Sequence, residues 1–68
     1  MTLKQLPNSQ IIDLIDEWIH SERDRKIMKR RFIDGIGHER IAEEFNLSDR
    51  HVKNIIYKSE NILKKHIT

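Results

Sequence analysis

Residues 41–55 read IAEEFNLSDRHVKNI, from Ile41 to Ile55. One continuous helix would not need the polar break after Phe45, and a loop would not need the regular Ile41, Phe45, Leu47, Val52, Ile55 spacing. Two short helices crossing at close range satisfy both features, and helices joined steeply by a turn of about three to four residues make a helix-turn-helix. Where their axes cross, one side chain must be small, and Ala42 fills that slot. Ile41 and Phe45 face inward from the first of the pair, Leu47 plugs the turn, and Val52 and Ile55 anchor the second. Asn46 stands where glycine is usual, and asparagine is one of the few other residues comfortable at positive φ. Ser48 offers a side-chain oxygen to cap the helix that follows. A bundle that binds nothing would require neither the alanine nor the left-handed residue.

Working outward, the rest of the chain also reads as helix, with no period-two stretch of useful length. Pro7, Asn8 and Ser9 mark a first helix, carried by Ile11, Ile12, Leu14, Ile15, Trp18 and Ile19. Asp13, Asp16 and Glu17 occupy its other side. Ser21 can cap a second helix, with Asp24 three places on as a variant capping box. That helix buries Ile27, Met28 and Phe32, and Asp34-Gly35 ends it through a left-handed turn. Gly37 then takes the N-cap position of a third helix, His38 to about Phe45, without a side-chain oxygen to offer. The fourth repeats Val52, Ile55, Ile56, Ile62 and Leu63 and closes on Lys64, Lys65 and His66, cations suited to a helix C-terminus. The expectation is an all-α, four-helix domain containing a helix-turn-helix. It forms a single unit over residues 1–68, with no repeat, low-complexity segment or linker.

Sixty-eight residues allow one domain at most, and a chain this short buries only about 60% of the surface exposed when unfolded. With 37% hydrophobic and 35% charged residues it has the balance of a folded soluble domain rather than a disordered tail. No cysteine is present, which excludes a disulfide staple or a thiolate metal site. No secretory signal and no apolar run of membrane-spanning length are visible, so no membrane partner and a cytoplasmic location are expected.

The net charge is only +2, but it is unevenly spread. Residues 1–22 carry Lys4 against Asp13, Asp16, Glu17 and Glu22. From Arg23 to Arg31 come Arg23, Arg25, Lys26, Lys29, Arg30 and Arg31, against Asp24 alone. From Arg50 onward, Arg50, Lys53, Lys58, Lys64 and Lys65 outnumber Glu60. A phosphate-backbone partner fits such asymmetry, although a charge run is also what a solvated helix face looks like. Lys4, Lys64 and Lys65 are read as hydrated surface charges.

The stretch ERDRKIMKRRFIDGIGHERIAEEFNLSDRHVKNIIYKSENIL, Glu22 to Leu63, resembles region four of bacterial sigma factors, the part that reads the −35 promoter element. The shared features are Arg31-Phe32, Gly35, Glu39 with Ile41-Ala42, and Ser48 opening the recognition helix. On this resemblance residues 1–21 form an N-terminal helical segment and 22–65 the region-four-like part. Together with WIHSERDRKIMKRRF, the chain also resembles short regulators encoded in prophages of low-GC Gram-positive bacteria. Gly37 departs from the usual hydroxyl N-cap, and the chain has no room for a region that melts the −10 element. A complete sigma factor is therefore not expected. The resemblance further implies a base contact at Asp49 and backbone contacts at Lys29, Lys53 and Lys58.

Helical geometry selects a reading face independently. At about 100° per residue, Val52, Ile55, Ile56 and Leu63 average to one direction, with Arg50, Asn54, Tyr57 and Asn61 nearly opposite and Lys53 and Lys58 on the flanks. Recognition helices use their N-terminal part on base edges, which makes Arg50 and Asn54 the leading readers of a helix spanning 49–63. Arginine pairs with guanine O6/N7 and asparagine with adenine N6/N7. Tyr57 can pack on a sugar or phosphate, or cover the domain edge. The histidines at 20, 38, 51 and 66 lack metal-ligand spacing and read as surface, with His38 and His51 the two placed near DNA. Trp18 reads as a plug between the first two helices, and Glu43-Glu44 as a solvated face.

No glycine-rich phosphate loop, nucleophile–base pair or paired carboxylates appear, so an enzyme, a cofactor and a bound metal are not expected. The reading is a sequence-specific, double-stranded DNA-binding transcription regulator. The competing readings are a region-four mimic that binds RNA polymerase or a sigma partner without reading DNA, and a phage DNA-packaging or recombination subunit. Because one module offers a small interface, a homodimer paired through Leu3, Leu6, part of Ile11–Ile19, Ile62, Leu63 and Ile67 is expected ahead of a monomer recruited by polymerase, although four helices closing on each other could absorb the same apolar residues.

Overall fold

The computed structural model describes residues 3–67, with the side chain of Lys4 outside that description, and the chain is helical as the spacing predicts. A short 3-10 turn, Leu3–Gln5, precedes α1 (Asn8–Trp18), α2 (Glu22–Phe32), α3 (His38–Phe45) and α4 (Asp49–Lys64). Local chemistry sets each boundary. Pro7 needs no N–H bond at a helix start, and its carbonyl accepts from Gln10 and Ile11, both at 3.1 Å. Ser21 Oγ accepts from the Asp24 N–H at 3.3 Å, but the Asp24 carboxylate turns to Arg23 at 3.2 Å, so only this half of a capping box is present. Gly35 closes α2 at φ 70°, and the Ile36 N–H reaches the Arg30 carbonyl at 3.0 Å. Gly37 caps α3 at φ −73°, an ordinary extended conformation with free space where a Cβ would stand, so a serine would fit there too.

One core joins the four helices. Ile11 and Ile15 of α1, Ile27 and Met28 of α2, Ile41 and Ala42 of α3, and Val52, Ile55, Ile56 and Leu63 of α4 are all buried, together with Leu3 and Ile19. Truncating a fully buried member such as Ile27 to alanine would cost about 2–5 kcal/mol. Ser59 of α4 is buried as well.

Three expectations need correction. Leu3, Ile11, Ile15, Ile19 and Leu63, taken as spare apolar surface for a homodimer, are consumed inside one protomer, and Leu6, Ile62 and Ile67 pack against the same core. Tyr57 is the one exposed large hydrophobe among the described residues. Trp18 is only half-buried: Ile19 takes the core position, while the indole stacks on His66 with ring centroids 3.5 Å apart and planes 3° from parallel. Glu44, read as part of a solvated face, is exposed but not unpartnered. Its carboxylate takes both Arg30 Nε, at 2.9 Å, and Arg30 Nη2, which ties α3 to α2.

Candidate nucleic-acid interface

The turn between α3 and α4 is built as its residues require. Asn46 sits at φ 58°, ψ 43°, and the Leu47 N–H donates to the Ala42 carbonyl at 2.9 Å. Ala42 is buried in the core, 5% exposed. Ser48 Oγ then accepts from the His51 N–H at 3.0 Å and starts α4. With Val52, Ile55, Ile56, Ser59 and Leu63 turned inward, the outer side of α4 presents Arg50, Asn54, Tyr57 and Asn61, all exposed. These four fall within about 60° of one another on the helical wheel and extend about 16 Å along the axis. Such a strip matches a helix lying in a major groove about 12 Å wide.

His51 and Lys58 line one flank of this strip and Lys53 the other, all three exposed. Among the described residues, the Arg50 and Lys58 side chains have no hydrogen-bond or ion-pair partner in the protein. Lys53 pairs with Asp49 Oδ2 at 3.1 Å, one turn back on the same helix. Asp49 is half-buried; its other oxygen, Oδ1, is covered and unpartnered. An oxygen in that position is not presented to a base edge.

His38 opens α3 at the edge of the same region, half-buried. Burial lowers its pKa, as do the nearby Arg31 and, more weakly, Lys53, while Asp49 opposes them. The shift favours the neutral form of the imidazole.

Lys29 does not join this group. It lies on the α1 side of α2 and pairs with Asp16 at 2.7 Å. The other cations of α2 are also engaged by the protein. Arg25 Nη1 donates to the carbonyls of Ile19 at 2.9 Å and His20 at 3.0 Å, which satisfies acceptors at the end of α1. Arg30 joins Glu44 and Asp34, and its pKa rises further as a result, mainly through the Glu44 hydrogen bond. Arg31 donates to the Ile36 carbonyl at 3.3 Å, Lys26 lies 3.6 Å from Glu22, and Arg23 pairs with Asp24.

The sequence reading missed the cleft between the α1–α2 connection and α4, of about 450 Å³, where His20, Ser21 and Arg23 face His51, Asn54 and Lys58. Nothing local signals it, since its walls are some 30 residues apart in the chain. Among the described residues no cluster of three ligating side chains could hold a metal ion, and no helix is long and apolar enough to cross a membrane.

Residues 21–65 match the family described as Sigma-70, region 4. No individual curated protein and no solved structure matches the chain.

Proposed function

The chain belongs to the Sigma-70, region 4 family, and from that membership we propose that it is a sequence-specific, double-stranded DNA-binding transcription regulator whose α4 enters the major groove. The family is one of DNA-binding regulatory helix-turn-helix domains rather than enzymes, and its members bind DNA and the RNA polymerase core. One observation carries the reading: an exposed polar strip on α4, headed by Arg50 and Asn54 and without side-chain partners among the described residues, stands on a helix-turn-helix whose second helix is capped by Ser48. Arg50 and Asn54 read bases near the start of α4. Lys58 and His51 on one flank, with Lys53 and Tyr57, meet the sugar-phosphate backbone. Asp49 holds Lys53 in place, and Lys29 belongs to the α1–α2 seam. Polymerase is the partner that would add contacts to so small a module.

The surface also favours this reading over a docking module that never touches DNA, because Tyr57 alone among the described residues exposes a large apolar side chain. Selection of bound sequences from random duplex DNA tests it directly. An enriched motif whose binding weakens steeply with salt is expected; a pool that stays random, with no salt-dependent retention, would remove the proposal.

A further inference from the structure

We propose that Asp49 is a positioning residue for Lys53 and that protonated His38 draws Asp49 off it, so that α4 offers Lys53 to the DNA backbone more fully in acid. The inference rests on the DNA-binding reading and adds to it a control on one of its cations. Asp49 opens α4 with its two oxygens in unlike settings. Oδ2 holds Lys53 at 3.1 Å, whereas Oδ1 is covered and has no hydrogen-bond partner. A covered carboxylate oxygen without a donor is costly, and an arrangement that supplies one is favoured. His38, the first residue of α3, is half-buried and close enough to Asp49 for the carboxylate to favour its charged form.

The charged groups that face His38 come from two other helices: Arg31 from α2, and Asp49 and Lys53 from α4. Burial, then Arg31 and more weakly Lys53, hold its pKa below the ordinary imidazole value, against Asp49. A proton on the ring adds an N–H donor and a positive charge beside Asp49, and the imidazolium and Lys53 then compete for one carboxylate. Lys53 is the partner able to leave, since its side chain is 58% exposed on a flexible stem and a surface pair of this kind is weak. Its departure also removes a cation that disfavours the imidazolium, so the two events assist each other. By linkage, DNA that takes Lys53 away makes His38 easier to protonate, and lower pH tightens DNA binding in return. The window lies below the ordinary imidazole range, because the His38 pKa is lowered.

The test follows affinity for the selected duplex against pH for the unmodified chain, His38→Gln, Asp49→Asn and Lys53→Met. His20, His51 and His66 remain in all four, so differences between the profiles isolate this group. The unmodified chain should tighten as the pH falls through that window, with a salt slope steeper by about one at its acid end. Each variant should lose that gain for its own reason. His38→Gln takes up no proton, Asp49→Asn leaves Lys53 free at every pH and binds more tightly at neutral pH, and Lys53→Met has no cation to release. Should Asp49→Asn weaken the fold, since an acidic residue suits the first turn of a helix, the other two variants carry the test. The control is overturned, with the DNA reading intact, if the four profiles run parallel while Arg50→Ala still weakens binding. An acid gain that survives in Lys53→Met would make His38 a direct phosphate contact and likewise end the proposal. If the unmodified chain shows no salt-dependent binding to any duplex, the underlying reading fails and the control with it.

Discussion

Along α2, Arg25 reaches the carbonyls that end α1, Arg30 reaches Glu44 of α3, and Lys29 reaches Asp16 of α1. Among the described residues, Arg50 and Lys58 of α4 have no partner, and Lys53 and Lys64 pair only with acidic residues of their own helix. By sequence α2 is the more basic of the two and the more obvious place to look for a DNA contact. Three of its charges are instead spent holding three helices together, because Arg25, Lys29 and Arg30 each lie within reach of an acceptor on a neighbour, while Arg23 and Lys26 pair within α2 itself. The contrast teaches that a basic run becomes a binding footprint only where packing leaves its cations without protein partners.

The largest expected effect that could break this contrast lies on α4. Arg50→Ala or Asn54→Ala should lower affinity for the selected site by about 1–3 kcal/mol while leaving thermal stability and random-duplex binding nearly unchanged. Equal losses on selected and random duplexes, measured by titration, would reduce these two residues to phosphate contacts.

On α2 the effects should be reversed. Arg25→Ala strips two partners from the end of α1 and should lower the unfolding free energy by about 1–2 kcal/mol, with site affinity of the folded protein retained. Chemical denaturation alongside a binding titration separates the two quantities. A variant of normal stability that has lost DNA binding would put α2 in the footprint after all.

A smaller effect concerns acid. Hydrogen bonds from Arg30 hold the Glu44 carboxyl below its usual range. A carboxylate lowered by folding adds stability above its ordinary titration range, and that stability is lost as the pH falls through and below it. Glu44→Gln should therefore be slightly less stable at neutral pH and flatter than the unmodified chain on the acid side. Identical denaturation midpoints for both proteins from neutral to acid pH would show that the α2–α3 pair contributes nothing.

The smallest expected change is none. With Leu3, Ile11, Ile15 and Leu63 buried in one protomer, sedimentation at micromolar concentration should show a single species near 8.2 kDa. A dimer would reveal an interface built without exposed apolar side chains.

Much of the fold was legible because its determinants act over a few residues. Ala42, Asn46 and Ser48 each do their work within one turn of α3 or α4, and the inward period of Val52, Ile55, Ile56 and Leu63 fixes the outward side of α4. Gly35 and Ser21 likewise mark the ends of α2 through their own backbone and side chain. Trp18 was misread for the opposite reason. An indole at the end of α1 satisfies the apolar period, but Ile19 fits the core and His66, from the far end of the chain, provides the ring on which the indole lies.

By itself, then, the sequence determined the four helices, the tight turn and the side of α4 that faces solvent, since capping, positive-φ tolerance and amphipathic period depend on neighbours no more than about one helical turn away. Only the tertiary structure decided which charges are available. Arg30 meets Glu44 fourteen residues on, Lys29 meets Asp16 across the α1–α2 seam, and the cleft forms only when the α1–α2 connection lands beside α4. An ion pair depends on where two helices come to rest, and that position is set by how their buried faces pack, not by the charged residues themselves.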